Sequence, residues 1–261
     1  MTPENQQQSA AAPISSQSNE RLKRARALLA GNFRAHGELF AAEGEDLIAA
    51  AALVGWQPVD LFCEAGSSLP GTPVLPQVLA TVSALRQGSR QIGVYDKRYI
   101  KPAEVGDLCV FLDGVSDPGN VGTIVRAAHA FGASSVAVGE RSADPFTPRA
   151  VRASMGSVFA LPVTKCDLTE LSSVKVALVA HGGDASLPTA RPLVVVIGAE
   201  REGVSTTAEK LCDYAWTVPL KTESLNAAMA ATVALYELAR GTTSPAVQDV
   251  APESNIGSEA T

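Results

Sequence analysis

Three stretches carry residues whose types could do chemistry. "DPGNVGTIVRAAHAFGA" (117–133) sets Asn120 and two glycines at a turn, then an apolar helical pattern holding one cation, Arg126. "VVVIGAEREGVS" (194–205) runs an apolar strand into a turn with Gly198, Glu200 and Gly203. Glycines at such a turn let a ligand approach backbone amides closely. "VPLKTESLNAAMAATVALYELAR" (218–240) places Ser224 and Asn226 in a loop that opens a long apolar helix. The first chemistry to test is phosphate binding. A dinucleotide fingerprint needs G-x-G-x-x-G directly after a strand. Here the strand ends at Asp113, position 117 is Asp, and Gly119 and Gly122 supply only the last G-x-x-G. No Lys-Ser/Thr pair follows for a P-loop, so spacing excludes a nucleotide loop.

Taken singly, each residue also has an ordinary structural role. Val121, Ile124, Val125, Ala128 and Phe131 form a buried helical stripe, and Arg126 falls off it with His129 at i+3. Periodicity alone makes both solvent-facing. Asn120 and Ser224 can each be helix caps, and Glu200 a surface turn residue. Ala-rich AAMAATVA fits close helix packing as well as a binding site.

The elements that must position these residues fall into two groups. From 19 to 100, a basic helix (NERLKRARALLAG) leads through LFAAEG to an Ala-rich helix (EDLIAAAALVG), then to a strand at VDLFCE. Pro/Gly punctuation at LPGTPVLP, a helix around QVLATVSALRQG and a strand at QIGVY complete a small α/β unit. RYIKPAEVGD reads as a linker. From 107 to 241 the pattern changes to short, nearly continuous apolar runs: LCVFLD (108–113), SVAVG (135–139), VKVALVAH (174–181) and LVVVIG (193–198). Such runs are buried parallel strands. The helical stretches VGTIVRAAHAFG, PRAVRASMG and NAAMAATVALYELAR separate or follow them, which predicts an α/β domain with a parallel sheet. Residues 1–18 and 242–261, rich in polar and small residues, read as disordered tails.

Composition sets the outer bounds. The 261 residues are 46% hydrophobic and 18% charged, as in a globular chain of one large or two smaller domains. No apolar run approaches the roughly 18 residues of a membrane span, and the polar start is no secretory signal, so a cytoplasmic protein is expected. Cys63, Cys109, Cys166 and Cys212 lie far apart without a CxxC pair, which argues for reduced thiols and against a metal site. The net charge of −6 does not advertise nucleic-acid binding. Two local groups are basic all the same: Arg21, Lys23, Arg24 and Arg26 with Arg34 beyond, and Arg86, Arg90, Lys97, Arg98 and Lys101. Each could be a solvated face or an RNA contact.

In this order, the three stretches resemble the signature of the SpoU (TrmH-like) branch of the SPOUT RNA methyltransferases. The first is similar to N-x-G-x-x-x-R-x-A-x-x-F-G at Asn120, Gly122, Arg126, Ala128, Phe131 and Gly132. The second matches G-x-E-x-x-G at Gly198, Glu200 and Gly203, and the third matches P-x(n)-S-L-N-x-x-x-A at Pro219, Ser224, Leu225, Asn226 and Ala230. "RASMGSVFALPV" (152–163) looks like the family's S-x-G-x-x-F/L-x-x-P segment. "FAAEGEDLIAAAALVG" is similar to an element of the RNA substrate-binding domain that many members carry. The chain departs from the pattern in the short LKTE turn before Ser224, which lacks the family's glycine, and in Arg201, for which the family more often has another residue.

The resemblance implies a C-terminal parallel sheet with a trefoil knot and a homodimer whose active site lies at or near the subunit interface. It implies S-adenosylmethionine as cofactor, in a pocket lined by Gly198, Val218 and Leu225. It implies methyl transfer to a ribose 2′-hydroxyl of RNA, with large-subunit ribosomal RNA favoured over tRNA. Arg126 would stabilise charge developing on the oxygen, while Asn120, Glu200, Ser224 and Asn226 hold Arg126, the ribose and the cofactor loop. The glycines of the first stretch are read as room for the ribose. The rivals are an RNA-binding module of the same fold without catalysis, and a nicotinamide-dependent oxidoreductase, which the failed fingerprint disfavours.

Overall fold

The computed structural model describes residues 12–31, 37–184, 186–188, 190–221 and 224–242. The N-terminal elements are α1 (Glu20–Leu29), β1 (Leu39–Glu43), α2 (Glu45–Leu53), β2 (Asp60–Glu64), β3 (Thr72–Val74), α3 (Pro76–Leu79) and β4 (Gln91–Asp96). Their four strands form a mixed sheet in the order β1-β4-β2-β3. The Asn19 side chain accepts from the amides of Arg21 and Leu22, capping α1, which buries Leu22, Ala25, Leu28 and Leu29 against this sheet.

The stretch 1–18 is not a disordered tail throughout: the Ile14 amide donates to the Pro73 carbonyl at 2.9 Å, and Ile14 packs beside Val74. Residues 1–11 and 243–261 lie outside the described residues, as does Arg34. The helix read around QVLATVSALRQG shrinks to the single turn of α3. Glu43 supplies the reason. Its buried carboxylate accepts from the Ser83 hydroxyl and the Ala84 amide, both at 3.0 Å, and a continuing helix would have spent that amide on its own carbonyl.

The C-terminal elements are β5 (Leu108–Asp113), α4 (Pro118–Ala130), β6 (Ser135–Val138), α5 (Pro148–Ala153), α6 (Ser157–Ala160) and β7 (Val163–Lys165). They continue with β8 (Val174–Val179), β9 (Leu193–Gly198), α7 (Thr206–Glu209), β10 (Tyr214–Thr217) and α8 (Ala227–Thr242). All neighbouring strands of this six-stranded sheet are parallel, in the order β10-β8-β9-β5-β6-β7. Every residue of the central pair β5 and β9 is buried, as the continuous apolar runs predict. The order reverses between β9 and β5. In such sheets ligands bind beyond the strand carboxyl ends near the reversal.

The two sheets share one core. Phe40, Trp56 and Tyr95 of the first pack against Phe146 and Phe159 of the second, and the Trp56 indole donates to the Phe159 carbonyl at 2.8 Å. Two ion pairs cross the same boundary, Arg152–Glu43 at 2.9 Å and Lys97–Asp144 at 2.8 Å. Burial pushes the Cys109 thiol up to about 11, consistent with an inert, reduced cysteine.

Candidate functional site

Beyond the carboxyl ends of β8, β9 and β10 lies a cleft. Its walls are Leu178, Ile197, Val218 and Leu225, and its rim includes Glu200, Arg201 and Ser224. Gly198 sits at its floor because the turn after β9 doubles back: Ala199 and Gly203 exchange two backbone hydrogen bonds of 2.9 Å. A Cβ at Gly198 would lie 2.0 Å from the Gly203 carbonyl carbon, so only glycine fits. The returning chain is anchored by Asp113 at the end of β5, whose carboxylate accepts from the Ser205 amide at 2.7 Å. The cleft therefore offers apolar walls and backbone groups together, which suits an adenosine-sized ligand with a polar tail.

Asn120 ties two segments that line the cleft to the start of α4. Its Nδ2 donates to Glu200 Oε1 at 2.7 Å, and its Oδ1 accepts from Asn226 Nδ2 at 3.1 Å. Asn226 Oδ1 in turn accepts from the Ala228 amide at 2.9 Å and so caps α8. One side-chain chain thus ties the start of α4, the turn after β9 and the start of α8. The cap of α4 is Asp117, not Asn120: its carboxylate accepts from the Asn120 amide at 3.0 Å, with Pro118 in the first helical position. Asp117 satisfies the backbone, leaving the Asn120 side chain to bridge.

The structure separates residues that the sequence reading grouped. Asn120, Glu200 and Asn226 hold one another, and among the described residues no hydrogen bond joins any of them to Arg126. Ser224 is exposed on the cleft rim outside this chain of bonds. Arg126 stands exposed on α4 two turns further along, without an ion-pair partner among the described residues. The glycines are not room for a ribose. A Cβ on Gly122 would lie 2.2 Å from the Ala150 carbonyl oxygen, so Gly122 admits α5 against α4, and Gly119 lies under the Arg149 side chain. The cleft walls Leu178 and Ile197 and the anchor Asp113 were missed; each stands at or next to the carboxyl end of a parallel strand, which was the available signal, although β8, unlike β5 and β9, is buried only at Val176 and Ala177.

The basic run of α1 is largely spent internally. Arg21 and Arg24 both pair with the buried Asp60, and Arg26 donates to the Thr81 carbonyl at 3.0 Å. No group of metal-ligating side chains occurs among the described residues, and no described helix is long and apolar enough to cross a membrane.

Residues 107–236 match the model of the SpoU rRNA Methylase family. The C-terminal half of the chain belongs to that family. An uncharacterized tRNA/rRNA methyltransferase of Mycobacterium ulcerans is 39% identical over 145 residues, 51% of this chain and 47% of the relative. A 23S rRNA (uridine(2479)-2′-O)-methyltransferase of Streptomyces viridochromogenes is 34% identical over 156 residues, 53% of this chain and 54% of the relative. This chain thus spans about half the length of the curated relatives it matches. Among solved structures, an AdoMet-bound rRNA methyltransferase from Sinorhizobium meliloti superposes with a TM-score of 0.79 at 28% identity, covering 89% of this chain and 99% of that one. The SpoU methyltransferase AviRb from Streptomyces viridochromogenes, in complex with AdoMet, gives 0.76 at 27%, covering 85% and 98%. This SpoU-family chain has the α/β architecture of those enzymes over both of its sheets.

Proposed function

We propose that this protein transfers a methyl group from S-adenosylmethionine to a ribose 2′-hydroxyl of RNA, with large-subunit ribosomal RNA as substrate. The observation that carries this reading is the Glu200–Asn120–Asn226 chain, which fastens the first signature segment to the two that line an apolar cleft at the strand ends. Two similar proteins named as rRNA methyltransferases, one of them 2′-O-specific, support the choice of rRNA over tRNA.

Gly198, Val218 and Leu225 would hold the cofactor, chiefly through backbone groups and apolar contact. Bound there, the cofactor supplies an electrophilic methyl. The chain's own task is to orient the ribose hydroxyl and ease loss of its proton. Asn120, Glu200 and Asn226 fix the cleft's mouth, and Ser224 on the rim is a polar contact for cofactor or ribose. Arg126 serves as a fixed cation for the developing alkoxide or the adjacent phosphate. A guanidinium with an intrinsic pKa above about 12 is a poor proton acceptor, which favours this electrostatic role over that of general base.

The reading includes a trefoil-knotted C-terminal half, a cytoplasmic setting and a homodimer. In support of the dimer, Met229 and Tyr236 lie two turns apart on one exposed face of α8, at 58% and 50% exposure. Radiolabelled methyl transfer to ribosomal RNA from a deletion strain, followed by mapping of 2′-O-methylated positions, tests the function. No incorporation into that RNA, with incorporation into tRNA instead, would move the substrate; calorimetry showing no S-adenosylmethionine binding would leave an RNA-binding module.

A further inference from the structure

We propose that Met155 is a substrate-binding residue that packs its thioether side chain against a base of the RNA beside Arg126. The proposal rests on the reading of Arg126 as the residue facing the reactive ribose, and adds how the neighbouring nucleotide is held.

Met155 is unusual in backbone and in exposure. It is the only non-glycine with positive φ among the described residues, at +49°, and its side chain is 57% exposed. A left-handed backbone is unfavourable for a residue with a Cβ and persists where the surroundings impose it. Here they do. Gly156, also left-handed, lies so close to α2 that a Cβ there would meet the Ala50 methyl at 2.6 Å, and the Ser157 amide donates to the Ser154 carbonyl at 3.0 Å. The turn between α5 and α6 is pinned from behind, and Met155 is held outward.

The register of this turn against α4 determines what Met155 faces. Gly119 lies under Arg149, Gly122 meets Ala150 and Ala153, and His129 Nδ1 is in hydrogen-bond contact with the Ser157 hydroxyl at 3.2 Å. Gly119, Gly122, Arg126 and His129 follow spacings of three, four and three residues, so they share one stripe of the helix. Arg126 falls between Gly122 and His129 on that stripe, as Met155 falls between Ala153 and Ser157 on the other side. That register sets the two exposed residues at the same level of the seam between α4 and the turn. Arg149, 64% exposed and paired with Asp117 at 2.9 Å, adds a cation at the near end of the same stripe.

An apolar, polarizable side chain level with an arginine that has no ion-pair partner among the described residues matches one nucleotide: a base with an aromatic face beside its phosphate. Thioethers pack favourably on aromatic rings. A second copy of this chain could also cover an exposed methionine, but Arg126, exposed and without an ion-pair partner among the described residues, favours RNA, and the test separates the two.

Met155→Gly removes the side chain and relieves the backbone at once. It should melt no lower than wild type, because glycine adopts positive φ without strain. Its affinity for single-stranded RNA dodecamers should nonetheless fall about two- to tenfold, the range of a sulfur–aromatic contact. Affinity for an abasic dodecamer of equal charge should stay unchanged, and so should the salt dependence of binding. Met155→Ala should show the same loss, and Met155→Leu should recover only part of it, since leucine keeps the apolar packing but not the sulfur–aromatic contact. Equal loss on the abasic strand, or no loss on either, overturns the proposal. A changed oligomeric state in sedimentation overturns it in favour of a second copy. Methyl transfer by the wild type tests the enzymatic reading separately, since the dodecamer comparison decides Met155 even where no methyl is transferred.

Discussion

Helices α1 and α4 both carry arginine, and they use it in opposite ways. In α1 the cations are dense but engaged: Arg21 and Arg24 converge on Asp60, which is only 4% exposed, and Lys23 reaches Glu20 at 2.7 Å. In α4 there is one arginine, exposed and without an ion-pair partner among the described residues, two turns along the helix from the Asn120 bridge. A local excess of positive charge therefore marks no nucleic-acid surface by itself. What matters is whether the structure has already neutralised it. This also reconciles an acidic protein with the proposed RNA substrate, because an unspent cation placed at the site can contact phosphate whatever the net charge.

The contrast is broken most directly at Arg126. Arg126→Ala should lower the rate of methyl transfer by roughly 10²- to 10³-fold, the usual cost of removing one electrostatic donor from a transition state. S-adenosylmethionine affinity by calorimetry and the melting temperature should both stay at wild-type values. Normal turnover would remove Arg126 from the reaction. The converse holds for Asp60→Asn. It leaves two arginines around a buried position without their anion, at a cost of about 2–3 kcal/mol, below the range for fully buried pairs because both arginines are partly exposed. Denaturant melts should record that loss while catalysis of the folded fraction persists. A catalytic defect without a stability change would show that α1 has an RNA role after all.

Asn120 sharpens the comparison by testing connection rather than charge. It bonds Glu200 and Asn226 at once, so removing it should uncouple the turn after β9 from the start of α8. In a double-mutant cycle, Asn120→Ala with Glu200→Ala should show a coupling of about 1–2 kcal/mol in kcat/KM. Additive effects would mean that the two residues act separately.

How far these features were legible in the sequence follows from how local their causes are. β5 and β9 were readable residue for residue, because a strand buried on both faces leaves an unbroken apolar run. β1 and β10 were not read as strands, and β3 and β7 span only three residues each, too short to carry a period. The motif residues could be named from spacing, but their grouping could not. Whether Asn120 caps its own helix or bridges two loops depends on Asp117, which takes the cap and frees the side chain. Gly122 likewise looked like ligand space until α5, distant in sequence, was seen to fill it. The internal use of the α1 arginines depended on Asp60, more than thirty residues away. Signals set by neighbours along the chain were visible, and those set by packing partners were not.

The smallest expected effect lies at the boundary between the two sheets. Burial alone would raise the Asp144 carboxyl, but the Lys97 hydrogen bond, the Phe146 amide and the charges of Lys97 and Lys165 outweigh it, and its pKa falls below the ordinary 3.8. A carboxylate with a depressed folded-state pKa contributes stability that is present above 3.8 and lost as the pH falls through the folded value. Asp144→Asn should therefore cost about 1 kcal/mol near neutrality. The difference from wild type should hold constant down to about pH 5 and shrink only below it. Because Lys97 and Asp144 stand on opposite sides of the boundary, the same variant should raise hydrogen exchange at Phe40 and Phe159, the aromatic pair packed across it, before exchange rises within β5. Loosening confined to one sheet would show that the aromatic cluster, and not the ion pair, holds the two together.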